Sequence, residues 1–196
     1  MTAKLKLNAE ARKWLRKNEA CEEGYKWASQ NCSTLAEVVT TARSGWALWV
    51  LLRPGVLTDR ELWLFACWCA EQALPAWYAF APNDHRPRQA IEARRGWLDG
   101  TVSDEQLATA ASAASSAAWS ARSAESAESA ARAAAWAAAW AAEWAARPAA
   151  AAAATAATAA TAARPAAAEA RSAQVAWLLA NTSPVFADGS TVEVAG

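Results

Sequence analysis

Apolar residues recur at helical spacing along most of the chain, and the polar residues between them carry signals that begin and end helices. In the most hydrophobic stretch, Leu62, Phe65 and Cys69 fall at steps of three and four residues, which is the spacing of one helix face. No stretch alternates convincingly between apolar and polar positions, apart from a short tail at residues 191–194. The pattern therefore predicts an all-α protein.

Capping boxes predict three of the helix starts. Thr34, Thr58 and Ser103 are each followed three residues later by Glu or Gln. In this motif the hydroxyl and the Glu or Gln side chain satisfy each other's unpaired backbone amides. Near the N-terminus, Asn8 predicts a first helix that ends at about residue 17, and a second helix is expected over residues 19–28.

Glycine, proline and short polar residues predict the other boundaries. Gly45 separates a helix that ends near residue 43 from a short apolar helix. Pro75 is expected to end the hydrophobic helix or to begin the next segment, because proline disrupts a helix interior. Asn83 or Asp84 is predicted to cap a helix that Gly100 closes in the left-handed conformation.

The second half of the chain is an alanine tract, from about residue 106 to residue 170, interrupted by tryptophan. Alanine is the best helix former and has almost no side chain, so helices built from it can approach each other closely. Neither proline nor glycine occurs between residues 104 and 147. One helix of about 65 Å, unbroken or kinked in its serine-rich part, could span this stretch. Pro148 and Pro165 predict the starts of two further helices.

These elements predict three segments. Residues 1–100 form a helical half with the main core, because the large apolar residues concentrate between residues 35 and 98. Residues 101–182 form an Ala/Trp-rich helical bundle or hairpin packed on that half. Residues 183–196 form an irregular tail.

The charge balance and the apolar runs exclude several partners. Lysine and arginine total 19, as do aspartate and glutamate, so the formal net charge is zero. A nucleic-acid-binding protein needs an excess of positive charge to neutralise phosphates. The uncharged run at residues 149–163 is shorter than the roughly 20 apolar residues that span a bilayer. Neither a nucleic acid nor a membrane is expected as a partner, and the basic stretch at residues 4–17 is interpreted as a solvated helix face.

The residues that usually carry catalysis or bind metals are sparse. Four cysteines lack the paired spacing of a zinc site, and His85 is the only histidine. No apolar segment of a signal peptide follows Met1. We therefore expect reduced thiols and a cytoplasmic protein with no catalytic residues, no cofactor and no metal.

A tryptophan ridge is the first candidate binding surface. On a helical wheel of residues 119–147, nearly half the circumference holds only Ala and Ser, and charged residues lie opposite. Trp136, Trp140 and Trp144 lie on the border as successive i, i+4 neighbours, one turn after Arg132. The rings either fill the groove between thin Ala helices or form an exposed ridge for a protein partner, since Trp and Arg dominate binding hot spots.

A second, weaker candidate patch consists of Arg86 and Arg88. They flank a rigid proline just before a predicted helix. Guanidinium groups bind carboxylates strongly. The patch suits either an acidic partner or an internal carboxylate that clamps the loop in place.

Three stretches carry a family resemblance, namely ACEEGYKW at residues 20–27, RSGWALWVL at 43–51 and DHRPRQAIE at 84–92. With the Ala-rich tract that follows, they resemble the all-α immunity protein family found beside bacterial polymorphic toxins and in phage and prophage genomes. The resemblance implies a cytoplasmic protein that binds and neutralises a toxin. It carries over no catalytic residue. The alternative is a phage-encoded structural, accessory or inhibitor protein that acts through partner binding or through a homo-oligomer joined by the Ala–Trp helices.

Overall fold

The computed structural model describes residues 7–122 and 164–192, with side chains for all of these except 118–122 and 164–167. The described residues form eight helices and no strand, which confirms the all-α prediction. The helices are α1 (Ala9–Lys17), α2 (Glu22–Asn31), α3 (Leu35–Thr41), α4 (Ser44–Leu51), α5 (Asp59–Phe80), α6 (Arg86–Leu98), α7 (Asp104–Arg122) and α8 (Arg164–Asn181).

Of the predicted capping boxes, the one at Ser103 is formed in full and the one at Thr34 is formed in part. The amide of Ser103 donates to Gln106 Oε1 over 2.9 Å, and the amide of Gln106 donates to Ser103 Oγ over 3.2 Å. At α3 the amide of Glu37 donates to Thr34 Oγ1 over 3.2 Å. The Glu37 carboxylate reaches back one residue further than the motif requires and accepts from the amide of Ser33 over 2.5 Å.

The second helix begins three residues later than predicted. Glu19 has a φ of 59°, and this left-handed conformation cannot continue a helix. Cys21 instead takes the N-cap position of α2, where its Sγ accepts from the amide of Gly24 over 3.4 Å. Capping preferences do not predict this start, because cysteine is not among the usual capping residues.

The prediction that Pro75 ends a helix is wrong, because Pro75 lies inside α5. Proline removes an amide donor and normally breaks or kinks a helix. Here Pro75 is exposed, while Leu74 and Trp77 are buried. Trp77 also donates from Nε1 to the carbonyl of Asp84 over 2.7 Å. The burial of these neighbours holds the helix together through residue 80.

The described residues fall into two compact units, one made of the described parts of Met1–Thr58 and Arg171–Gly196 and the other of the described parts of Asp59–Ala170. In the first unit α1 packs against α2 and α3 against α4. In the second unit α6 packs against both α5 and α7. The segment boundaries expected near residues 100 and 182 stay predictions.

The C-terminal segment closes the first unit through Asp188. One carboxylate oxygen, Oδ2, accepts from Asn8 Nδ2 and from the amide of Leu35, both over 2.9 Å. The other, Oδ1, accepts from the amide and hydroxyl of Ser190 over 3.2 Å and 2.6 Å. Phe186, two residues before Asp188, is buried. The carboxylate thereby joins the start of α1, the start of α3 and the tail.

Candidate protein-binding site

The turn between α5 and α6 brings together the predicted Arg86–Arg88 patch and aromatic side chains from the end of α5. We call this surface the α5–α6 corner and define it by Tyr78, Phe80, His85, Arg86 and Arg88. Phe80 is 38% exposed and is one of two exposed large hydrophobic residues in the described part of the chain. His85 and Arg88 are also exposed. The corner combines aromatic and cationic groups at the surface of the second unit.

Local hydrogen bonds fix the backbone of the corner. α6 begins after His85, which makes no side-chain capping bond. Asp84 performs that role from one residue earlier, because its Oδ1 accepts from the amide of Arg86 over 3.1 Å. Pro87, in the first turn of α6, is buried. Since proline is well suited to a first turn, this sequence starts a helix at a defined place.

Arg86 binds a carboxylate of its own loop. Its Nε and Nη2 donate to the two oxygens of Asp84 over 2.9 Å and 2.6 Å. The hydrogen bond from Arg86 holds the pKa of Asp84 below its usual value. The arginine side chain remains 39% exposed. Arg86 therefore fixes the loop through Asp84, and only part of its guanidinium is exposed.

Arg88 and His85 gather around the ring of Tyr78. Arg88 Nε donates to the Tyr78 hydroxyl over 2.9 Å, and its guanidinium lies 5.4 Å from the ring centroid. The rings of His85 and Tyr78 are 5.6 Å apart. No carboxylate among the described residues forms a salt bridge with Arg88. Arg88 is thus positioned by the hydroxyl and ring of Tyr78, and its side chain is exposed.

The corner contains residue types that are common at protein interfaces. Tyrosine and arginine are enriched at binding hot spots, and an exposed aromatic ring adds apolar area at small entropic cost. In the described part of the chain, no cluster of three or more His, Cys, Asp or Glu side chains could hold a metal ion. Nor is any described helix long and apolar enough to cross a membrane.

The four residues of the predicted tryptophan ridge, Arg132, Trp136, Trp140 and Trp144, lie outside the described residues. The sequence did single out Arg86 and Arg88, but it did not point to Tyr78 or Phe80. Tyr78 lies ten residues before Arg88 and meets it only because the chain turns between α5 and α6. The one feature of the sequence that could have drawn attention to Tyr78 is its position beside Trp77 at the end of a hydrophobic helix.

A comparison with family models matches residues 56–183, well over half of the 196 residues, to one family. The matched segment contains the whole α5–α6 corner and excludes α1–α4. The resembling stretches at residues 20–27 and 43–51 therefore precede it. No curated protein and no solved structure matches the chain. The family is described as "Imm-5 like putative immunity protein", and this chain belongs to it.

Proposed function

We propose that this protein is a non-catalytic immunity protein that neutralises a toxin by binding it. The observation that carries the proposal is the family match over residues 56–183. Neutralisation by binding needs a surface with well-ordered aromatic and charged groups, and it needs no reacting group. The α5–α6 corner is such a surface within the matched segment.

The proposed contact surface has two parts. One is the α5–α6 corner, where Arg88 is exposed and positioned by Tyr78. The other is the tryptophan ridge of Arg132, Trp136, Trp140 and Trp144, which the helical wheel of the Ala-rich tract supports. Both parts would give a partner aromatic area beside a guanidinium, the combination found at hot spots.

We place the activity in the cytoplasm. All four cysteines are free, and Cys32, Cys67 and Cys69 are buried. Burial raises the pKa of Cys67 to about 12, so this thiol stays protonated and behaves as a small hydrophobe. These features fit a reducing compartment, where thiols are maintained without disulfides.

Affinity capture from the native host, combined with inspection of the neighbouring genes, tests the function. We expect one stoichiometric protein partner, encoded nearby, whose toxic activity falls when this protein is added. Large homo-oligomers without such a partner, or a position among virion genes, would instead support the structural alternative and contradict neutralisation.

A further inference from the structure

Two pockets of the first unit have different linings. One has a volume of about 200 Å³ and is lined mainly by apolar side chains, among them Trp27, Trp46 and Trp49. The other has a volume of about 620 Å³, and its walls come from α1 and α2. This volume lies in the range of small-molecule sites. We call the second one the basic pocket and define it by its lining residues, Ala9, Arg12, Lys13, Arg16, Tyr25 and Ser29.

Helical spacing places the cations of the basic pocket on one side of α1. Arg12 and Arg16 are i, i+4 neighbours, so their side chains lie one turn apart on the same face, and Lys13 lies beside them. Tyr25 and Ser29, also i, i+4 neighbours, form the wall that α2 contributes. The guanidinium of Arg16 lies 5.1 Å from the ring centroid of Tyr25, so this contact links the two helices at the pocket.

Among the residues that the structure describes, the lining of the basic pocket contains three cations and no carboxylate. In the same part of the chain, none of these cations forms a salt bridge. The acidic residues of α1 and α2, namely Glu10, Glu22 and Glu23, are exposed and lie outside the lining. Arg12 is half-buried, so its charge is partly withdrawn from water. Because like charges one helical turn apart also repel each other, a bound anion would relieve two costs.

The lining also contains a hydroxyl group without a partner. Ser29 Oγ is buried and makes no hydrogen bond with any described residue. A buried hydroxyl that lacks a partner costs free energy. An oxyanion has several acceptor oxygens, so it can bind guanidinium groups and accept from a hydroxyl at the same time. Since Ser29 Oγ is covered in the free protein, this last bond requires a rotation about the Cα–Cβ bond of Ser29.

We propose that the basic pocket binds a small polyvalent oxyanion of the phosphate type, such as a pyrophosphate group. Guanidinium groups bind phosphate oxygens in paired hydrogen bonds, and lysine adds a point charge. Three cations attract a ligand with several negative charges more strongly than one with a single charge. A nucleic acid is not favoured, because it needs an excess of positive charge and the chain has a formal net charge of zero. The pocket lies before residue 56, outside the family-matched segment, so the proposal does not depend on toxin neutralisation.

A series of anions with increasing charge tests the site. Acetate, inorganic phosphate and pyrophosphate are titrated into the full-length protein at constant ionic strength, and binding is followed by NMR shifts of the backbone amides of α1 and α2. We expect saturable binding whose affinity rises with the charge of the anion, with pyrophosphate bound roughly tenfold or more tightly than acetate. Equal affinities for the three anions, or no saturable shifts in α1 and α2, would overturn the proposal.

Matched variants locate the binding. Arg12→Gln and Arg16→Gln should each weaken pyrophosphate binding roughly three- to tenfold, because each removes a charged donor from the lining. Lys17→Gln is the control, since it removes the same charge from an exposed position of α1 outside the lining, and it should change the affinity less than about twofold. Ala9→Glu, at an exposed position of the lining, adds a carboxylate and should also weaken binding. Equal losses in the Arg16 and Lys17 variants, or unchanged affinity in Ala9→Glu, would contradict binding in this pocket.

Two further probes distinguish a small phosphate compound from a macromolecule. A short single-stranded oligonucleotide presents phosphates along a strand, and a tetraglutamate peptide presents the carboxylates of an acidic protein segment. Both are titrated at the same ionic strength as pyrophosphate, which we expect to bind more tightly than either. Tighter binding of the oligonucleotide would overturn the proposal in favour of a nucleic acid, and tighter binding of the peptide would overturn it in favour of an acidic protein partner.

Discussion

The guanidinium of Arg94 is packed against two indole rings in the second unit. It lies 4.2 Å from the centroid of Trp63 and 4.9 Å from that of Trp97. The residue is fully buried, and this desolvation lowers the pKa of its guanidinium. Stacking recovers part of the cost of burying the charge, because a guanidinium is planar and weakly hydrated, whereas an ammonium is compact and strongly hydrated.

Replacing Arg94 with lysine should therefore destabilise the protein. We expect Arg94→Lys to lower the free energy of unfolding by about 1–3 kcal/mol, measured by urea denaturation. Arg60→Lys is the control, because Arg60 forms a largely exposed salt bridge with Asp99. Such pairs typically contribute less than about 1 kcal/mol. Equal losses in the two variants would contradict the stacking role.

Because of Asp188, the free energy of unfolding of the first unit should decrease at low pH. Burial alone would raise the pKa of Asp188, but hydrogen bonds from Ser190, Leu35 and Asn8 together lower it. A lowered pKa in the folded state means that the ionised carboxylate stabilises the fold above its unfolded pKa of about 3.9. That stabilisation is lost as the pH falls through the folded pKa.

The pH dependence can be assigned with Asp188→Asn. We expect the free energy of unfolding to fall less between pH 6 and pH 3 in this variant than in the parent, because the titrating group has been removed. The variant should also be less stable than the parent at pH 6. Parallel curves for the two proteins would exclude Asp188 as a source of the acid sensitivity.

α6 packs against α7 mainly through alanine side chains. Ala90, Leu107, Ala111 and Ala114 form one buried cluster. Ala114 is fully buried, so a longer side chain at that position would have to fit inside the cluster. This contact involves the part of the alanine tract that the structure describes, where close approach of helices was predicted.

A larger residue in this contact should cost stability. Ala114→Leu is expected to lower the free energy of unfolding by about 1–3 kcal/mol through overpacking. Ala108→Leu, at an exposed position of the same helix, should have little effect. Thermal denaturation of both variants measures the difference. Similar melting temperatures would mean that α6 and α7 have room between them.

Capping residues and glycines predicted several helix boundaries correctly. The capping box at Ser103 and the left-handed Gly100, with a φ of 74°, are both confirmed. The start of α2 and the continuation of α5 past Pro75 were predicted wrongly. The first depends on an unusual sulfur cap, and the second depends on burial of neighbouring side chains. Neither cause can be read from local residue preferences.

For the candidate sites too, the sequence predicts only features carried by neighbouring residues. The sequence identified Arg86 and Arg88 because both charges flank one proline. It could not identify Tyr78 as the side chain that positions Arg88, since that contact requires the turn between two helices. The cavity lined by Trp27, Trp46 and Trp49 was missed for the same reason, because its walls come from α1, α2, α3 and α4.

For the whole molecule, variants in the two proposed contact surfaces should separate binding from folding. We expect Arg88→Ala and Trp140→Ala each to weaken partner affinity, by about 2 kcal/mol or more if the residue is a hot spot. Circular dichroism and thermal denaturation should show that the fold is retained. If Trp140→Ala leaves the affinity unchanged, the tryptophan ridge is not the contact surface. If binding is lost only because this variant unfolds, the ridge packs inside the protein.

Titration of the toxin's activity is the most direct test of immunity. The purified partner is assayed at fixed concentration while this protein is added from below to above equimolar amounts. A binding inhibitor should reduce the activity in proportion to its amount, with an end point at a fixed molar ratio and with the toxin recovered intact. Activity that is unchanged at a large excess of this protein, or toxin that is consumed by substoichiometric amounts of it, would contradict neutralisation by binding.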